Sequence, residues 1–380
     1  MFISKISEQS FGLDISDLSL KVVQLVKNKN KINIQALGQV NLPKGVIDNG
    51  IIKDKEIVLE NLKKLINKPK LGFIDTDSVV ACLPETKTYI KLIEINKNPN
   101  NINDIIQTEI EKNIPISVDD MYYDWQIINK LENQDLVLIG AAPKNIVNSH
   151  IDLLKSAGLS ISALEVESMA ICRSLLTEEG FKTSEESKNN YCIIDIGAKR
   201  SSLIIYSKDT IVLSVSIPIS GDEATEKIAE TLEIKKDQAE KAKIICGLDK
   251  TKAQGVVNKI LSGMINDLTD KIKNSMDFYI ENHEHYGPIN KIILCGGGSN
   301  IKELDQIINK SIGIETILGN PLTHLNPESV EIFKKIEEKH NLKDQAINNS
   351  NNSLSTNQSM NLSYTTAVGL ALRDIFIADN

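Results

Sequence analysis

The sequence predicts an α/β protein made of two related halves that face each other across a cleft. Three observations predict it. Phe11-Gly-Leu-Asp-Ile and Cys192-Ile-Ile-Asp-Ile each carry an apolar strand to an Asp-Ile step, then a tight polar turn and a second apolar strand. Each copy runs on into a third strand that ends at an apolar-Pro step, Leu42-Pro43 and Ile217-Pro218. At 380 residues and 41% hydrophobic content the chain is long enough for two cores, which a cleft requires. A strand tip bearing an acidic residue and close-packed backbone amides can hold a phosphate and its metal ion. Two such tips, at Asp14 and Asp195, can hold one nucleotide between them.

Taken in order, residues 11–42 read as a three-stranded meander, with a Lys/Asn turn at 27–31 between its second and third strands. A helix follows at about 54–67, with Ile57, Val58, Leu62, Leu65 and Ile66 at helical spacing, and then a strand at about 77–83 closed by Pro84. Residues 86–162 read as an inserted α+β unit. Its strand at 88–95, helix at 102–113, strands at 121–128 and 135–142, and helix at 144–157 stop at Gly158, a typical left-handed helix end. A helix from 163 to 180 returns to the first half. The second half opens at 191 with three strands, then helices at about 221–233, 235–246 and 251–284. The strand 291–295 enters Gly296-Gly-Gly-Ser299 and a helix at about 299–310. A Gly-rich turn there lets the backbone approach a ligand and aims helix N–H groups at it. The Asn/Ser tract within 338–362 is too polar to order itself and reads as a disordered insert before a last helix at 364–377.

Composition narrows the classes. A net charge of −8 argues against nucleic acid as partner, and no run of about 18 apolar residues suggests a membrane span. The first ten residues lack the basic-then-apolar pattern of a secretory signal. Five cysteines without a C-x-x-C pair read as buried free thiols in a reducing compartment. His283 and His285 stand two apart near a helix end, where side chains diverge, so a metal site there is not expected. Arginines are few, and Arg200 follows the second Asp-Ile turn.

These elements in this order resemble the actin-like ATPase superfamily, of ribonuclease H-like fold. Asp14-Ile-Ser16 is similar to its first phosphate motif, Asp195-Ile-Gly197 to its second, and Gly296-Gly-Gly298 to its adenosine motif. Within it the chain resembles the PilM family of type IV pilus assembly proteins. That likeness rests on Gly12-Leu-Asp-Ile with Ser19-Leu-Lys-Val-Val-Gln-Leu25, on Glu109-Ile-Glu-Lys-Asn-Ile-Pro115 leading to Tyr123-Asp-Trp-Gln126, on Ile217-Pro-Ile-Ser-Gly-Asp222, and on Ala367-Val-Gly-Leu-Ala-Leu372. The resemblance implies four subdomains: 1A at 1–85 and 163–189, 1C at 86–162, 2A at 190–219 and 288–380, and 2B at 220–287. It implies ATP in the cleft, with contacts from Asp14, Ser16, Asp17, Leu18 and Lys21, from Asp195, Gly197, Ala198, Lys199, Arg200 and Gly221, and from Gly296, Gly297, Gly298 and Ser299. Asp14 and Asp195 would meet Mg²⁺ through water. Glu240 and Lys243 would flank the ribose and adenine.

The implied partner is the N-terminal cytoplasmic tail of a PilN-like inner-membrane protein, held in a groove between 1A and 1C, so that a cytoplasmic protein sits at the inner face of the membrane. The resemblance also admits self-association or contact with pilus motor ATPases. The FtsA family of cell-division proteins shares the subdomain set, and a polymerising ATPase of that kind is the alternative. A FtsA-like basic amphipathic end is not expected here, because Arg373 is the sole basic residue of the last helix. A sugar or acetate kinase finds no support beyond the phosphate motifs. One departure matters: the first phosphate turn carries Ser16 and Asp17 where the family usually has Gly and small hydroxyl residues. It predicts weak or absent ATPase activity. Glu165 and Glu167 lie near the region of a water-orienting residue by chain order but read as a solvated loop.

Overall fold

The computed structural model describes residues 9–96, 101–130, 133–177, 190–283, 286–336 and 360–377. The meander forms as β1 (Phe11–Ser16), β2 (Ser19–Asn28) and β3 (Lys31–Asn41), and a two-residue pair, β4 (Ile47–Asp48) and β5 (Ile51–Ile52), follows. Helix α1 (Lys55–Asn67) starts where the Asp54 carboxylate accepts the Ile57 N–H at 3.0 Å, and it buries Val58, Leu62 and Leu65 against the first sheet. Short β6 (Leu71–Gly72) pairs with β3, and β7 (Ser78–Leu83) lies parallel to β1.

The inserted sheet has the order β8 (Tyr89–Asn96), β10 (Gln134–Pro143), β9 (Met121–Lys130). Its two faces follow from strict alternation. Ile95, Val137 and Ile139 pack on Ile106 and Ile110 of α2 (Ile102–Asn113), while Leu92, Leu136 and Leu138 point the other way and join the apolar cluster of the second half. At its end Ala142 meets Leu83 of β7, so the insert touches both halves. Helix α3 (Lys144–Ser156), expected with the insert, instead buries Leu153 and Leu154 in the core of the first sheet.

The helix expected over 163–180 begins as a strand. Strand β11 (Ser160–Val166) runs parallel to β7 and completes the first sheet in the order β11-β7-β1-β2-β3-β6; α4 (Glu167–Leu175) follows. The run Ile161, Ala163, Glu165 alternates, but an adjoining helix in the same apolar stretch hides the two-residue period in the sequence.

The second half repeats the plan. Strands β12 (Tyr191–Ile196), β13 (Ser201–Ser207) and β14 (Thr210–Ile217) form an antiparallel meander, and β15 (Lys291–Cys295) and β16 (Thr316–Leu318) add in parallel. Helices α5 (Gly221–Leu232), α6 (Lys236–Cys246), α7 (Val256–Asn282) and α8 (Leu304–Ile312) supply one large core with this sheet. The expected helix at 299 does not start at the glycines. Gly297–Asn300 is a single 3₁₀ turn, and α8 begins only at Leu304.

The last helix, α9 (Thr365–Ile377), crosses back to pack on the first sheet, while α4 packs on the second. They cross at Gly369, where an added Cβ would stand 1.8 Å from the Ala170 carbonyl oxygen. Most of the predicted disordered insert, like His285, lies outside the described residues. Its last residues do not behave as predicted: Leu362 is buried and its carbonyl accepts the Gly296 N–H at 3.2 Å. All five cysteines are buried free thiols. Among the described residues no helix is long and apolar enough to cross a membrane.

Candidate functional site

Asp14 and Asp195 stand at the carboxyl ends of the central strands β1 and β12, each the pivot where a meander meets parallel neighbours. Carboxyl ends of such strands are where α/β sheets bind ligands. Here both ends open into one cavity of about 280 Å³, lined from both halves by Asp14, Lys21, Glu85, Glu167, Asp195 and Arg200. A second cavity of about 350 Å³ shares Leu18, Gly197, Ala198 and Gly297 with it and adds Gly221, Asp222, Glu240 and Lys243. Of the residues expected at the site, only Ser299 lies away from both cavities: it is buried under the glycine turn, where its hydroxyl donates to the Cys295 carbonyl.

The carboxylates are not equivalent. Asp14 accepts from Lys21 Nζ at 2.9 Å and from Ser16 Oγ at 2.7 Å. Burial works against the charge on Lys21, yet the Asp14 carboxylate outweighs it and raises the lysine pKa. Asp195 has one hydrogen-bond donor among the described residues, the Cys295 thiol. Burial, and then repulsion from Asp14, pushes its pKa up to about 6. Glu167, at the first position of α4, is pushed well above the carboxylate range by burial and by Asp195, Asp14 and Glu85. The structure thus corrects the solvated loop that the sequence suggests for this residue. The same correction applies to Glu165, which accepts both terminal nitrogens of Arg173 at 2.8 and 2.9 Å and Arg373 Nε at 2.8 Å. The sequence signal that was available is chain order, which sets both residues near the region of a water-orienting group in the superfamily the chain resembles. Glu85, also missed, is held at the cleft by the Ser214 hydroxyl and the Ser168 N–H, and burial raises its pKa.

Asp17 does not lie free beside the cavity. Its oxygens accept the N–H groups of Asn49, at 3.1 Å, and Gly50, at 2.9 Å, and so fasten the turn between β4 and β5. Asn49 in turn receives Arg200 Nε from the other half at 2.8 Å. Lys199 pairs with Asp222 at 3.0 Å, and Lys44 of the first half reaches Asp222 at 3.2 Å and Glu226 at 2.7 Å across the cleft mouth. Burial opposes it, but Lys236, Lys199 and Lys44 together hold Asp222 far below the usual carboxylate range. Lys243 spends all three donors inside the protein, on the Gly221 carbonyl, Thr225 Oγ1 and Glu240 Oε2, at 2.9, 2.8 and 2.7 Å.

The glycine triplet divides by role. Gly296 has φ +78° and no room beside Asp195, and a Cβ on Gly298 would lie 2.3 Å from Ile196 Cγ2. Gly297 faces the cleft, where an added Cβ would meet only Ser363 Cβ, at 3.9 Å.

Oxygen donors that face one another without a matching number of cations suit a hard divalent ion. Among the described residues no three His, Cys, Asp or Glu side chains are placed to hold an ion directly. Asp195, Asp14 and Glu167 could therefore hold such an ion only through its own water shell.

Two duplicated lobes, paired strand-tip aspartates and a glycine turn define an actin-like ATPase fold. The family model described as "Type IV pilus assembly protein PilM" matches residues 12–375, and the chain belongs to that family. The fold is similar to the solved "PilM-PilN type IV pilus biogenesis complex", with a TM-score of 0.75, 21% identity, and 97% of this chain and 98% of that chain covered. It is also similar to ethanolamine utilization protein EutJ from Carboxydothermus hydrogenoformans, with a TM-score of 0.54, 12% identity, and 96% and 89% covered. Among curated proteins it is 24% identical over 367 residues to cell division protein FtsA of Buchnera aphidicola subsp. Baizongia pistaciae (strain Bp), covering 82% of this chain and 83% of that protein.

Proposed function

We propose that this protein is a nucleotide-binding adaptor of a type IV pilus assembly platform, divided into the four subdomains of its family. It binds ATP with Mg²⁺ in the cleft and holds the cytoplasmic tail of a PilN-like inner-membrane protein, which keeps it at the inner face of the membrane. The observation that carries the nucleotide reading is the convergence of Asp14, Asp195 and Glu167 on one cavity bordered by Gly297. The partner reading is supported by family membership and by a related PilM whose solved complex contains PilN.

In this reading the backbone amides near Ser16 and Ala198 meet the phosphates, and Lys21 supplies a cation that Asp14 already orients. The second cavity takes the nucleoside beside Glu240 and Lys243. When bound, Mg²⁺ neutralises phosphate charge. Glu167 is the group able to orient a water at the end of the phosphate chain. Turnover is nonetheless slow, because the side chain of Ser16 limits closure of the first turn on the phosphates. We expect it below the roughly 1 s⁻¹ low end of ordinary enzymes.

Calorimetry with MgATP tests the binding, and no heat from folded protein at millimolar nucleotide would refute it. A phosphate-release assay with and without the tail tests turnover, and several cycles per second would favour a working ATPase. Capture of the tail should depend on the groove beside the inserted sheet, where an extended peptide can bond to a strand edge. Retention of the tail after deletion of residues 89–143 would place its groove elsewhere.

A further inference from the structure

We propose that Cys82 and Cys295 are positioning residues, each holding one oxygen of a cleft aspartate and so fixing the orientation of the carboxylate that meets the hydrated cation. This inference rests on the nucleotide reading above. The same relation occurs in both halves. Strand β7 runs parallel to β1 with Ala81 opposite Leu13, and one step further Cys82 Sγ stands 3.9 Å from Asp14 Oδ1. Strand β15 runs parallel to β12 with Cys295 opposite Asp195, and Cys295 Sγ stands 3.7 Å from Asp195 Oδ1. Both contacts come from the parallel strand beside the central one, and each reaches one oxygen of its own aspartate.

A thiol suits the place. It packs as a small apolar group, Cys82 against Val80, Ala170 and Leu370, and Cys295 against Ile171 and Ile193. It also offers one weak donor without adding charge. Burial, followed by the neighbouring aspartate, raises both thiol pKa values well above the ordinary range, so both remain donors.

The two thiols do not carry equal weight. Asp14 is also held by Lys21 and Ser16, whereas Cys295 is the single hydrogen-bond donor to Asp195 among the described residues. Gly296 cannot substitute for it, since any Cβ there would lie 2.1 Å from the same oxygen. Removal of Cys295 should therefore affect the cation more than removal of Cys82.

The test compares Cys295→Ala, Cys295→Ser and Cys82→Ala with Cys192→Ala, a buried cysteine of β12 that packs only in the second core. Calorimetry with ATP, in Mg²⁺ and in EDTA, gives the factor by which the cation improves affinity. Cys295→Ala should cut that factor roughly three- to tenfold, the worth of one ordinary hydrogen bond, because the thiol is a weak donor. Cys295→Ser should restore it, Cys82→Ala should lower it less, and Cys192→Ala should cost stability alone. A wild-type factor in Cys295→Ala, or an equal loss in Cys192→Ala, overturns the proposal. Infrared difference spectra decide it independently of nucleotide. The S–H stretch lost in Cys295→Ala, or in Cys295→Ser should the alanine variant not fold, should lie at lower frequency than that of Cys192. Coincident bands refute the contact. Failure of the wild type to bind nucleotide would sink the functional reading, and the infrared result would still stand for or against the thiols.

Discussion

Lys21 Nζ lies 2.9 Å from Asp14 Oδ2, and both side chains are almost wholly withdrawn from solvent. The pair joins neighbouring strands of one hairpin, since Asp14 of β1 stands opposite Lys21 of β2 in register. A cation is thus built into one wall of the cleft, while among the described residues no cation pairs with Asp195 on the opposite wall.

Removing half of this pair should cost more than removing both. Lys21→Met leaves a buried carboxylate uncompensated and should lose about 3–5 kcal/mol in urea denaturation. Lys21→Met combined with Asp14→Asn should recover much of that loss. Equal stability of the single and double variants would mean that water already screens Asp14.

The raised pKa of Asp195 sets a pH window. A carboxyl whose folded pKa exceeds its unfolded value favours the folded state fully below the unfolded pKa. For Asp195 that contribution is lost as pH rises from about 4, the unfolded value, through about 6, the folded one. Asp195→Asn removes this term. The stability of the variant relative to wild type should therefore rise between pH 4 and pH 7, by on the order of 2 kcal/mol, and then level off. Thermal melts of both proteins across this range would show it, and a flat difference would contradict the assigned shift.

The glycine turn should separate folding from binding. Gly297→Val meets only Ser363 Cβ, 3.9 Å from the new Cβ, so the variant should melt near the wild-type temperature yet bind nucleotide at least tenfold more weakly, a loss of about 1.4 kcal/mol or more. Gly298→Val collides with Ile196 and should be destabilised by about 1–3 kcal/mol. Calorimetry beside thermal melts distinguishes them, and unimpaired binding by Gly297→Val would move the nucleotide away from this turn.

Arginine geometry should matter at the helix crossing. The chain has three arginines, Arg173, Arg200 and Arg373, and each bonds a residue on another element near the junction of the halves. Arg173 grips both oxygens of Glu165 and also the Gly369 carbonyl at 2.8 Å, which a lysine cannot reproduce. Arg173→Lys should cost about 2 kcal/mol. A denaturation midpoint unchanged from wild type would show that the fork carries no load.

Much of this was legible in the chain. The two Asp-Ile hairpins recur at the tips of the two central strands because alternating apolar residues bound by polar turns leave few other arrangements. The insert was visible from its own alternation, but its boundary was not. Whether α3 joins the insert or the first sheet depends on which apolar surface Leu153 and Leu154 meet, a tertiary choice. Glu165 and Glu167 were misread for a similar reason. Lone acidic residues are usually solvated, and only the arrival of Arg173, Arg373 and the opposing aspartates shows what they face. Asp17 follows the first Asp-Ile step in the sequence, but its bonds to the Asn49 and Gly50 amides connect segments that the sequence does not show to be neighbours.

The exchange of α4 and α9 between the sheets has a consequence for biosynthesis. Val23, Leu25 and Leu37 of the first sheet are covered by Ala367, Val368 and Leu372, which leave the ribosome long after the sheet itself. The sheet made first therefore waits, with an apolar face open, until α9 has been translated. A nascent chain, or one truncated before α9, displays that face to chaperones and proteases, whereas a chain that has reached α9 hides it. Synthesis of α9 is thereby coupled to concealment of the lobe that carries Asp14.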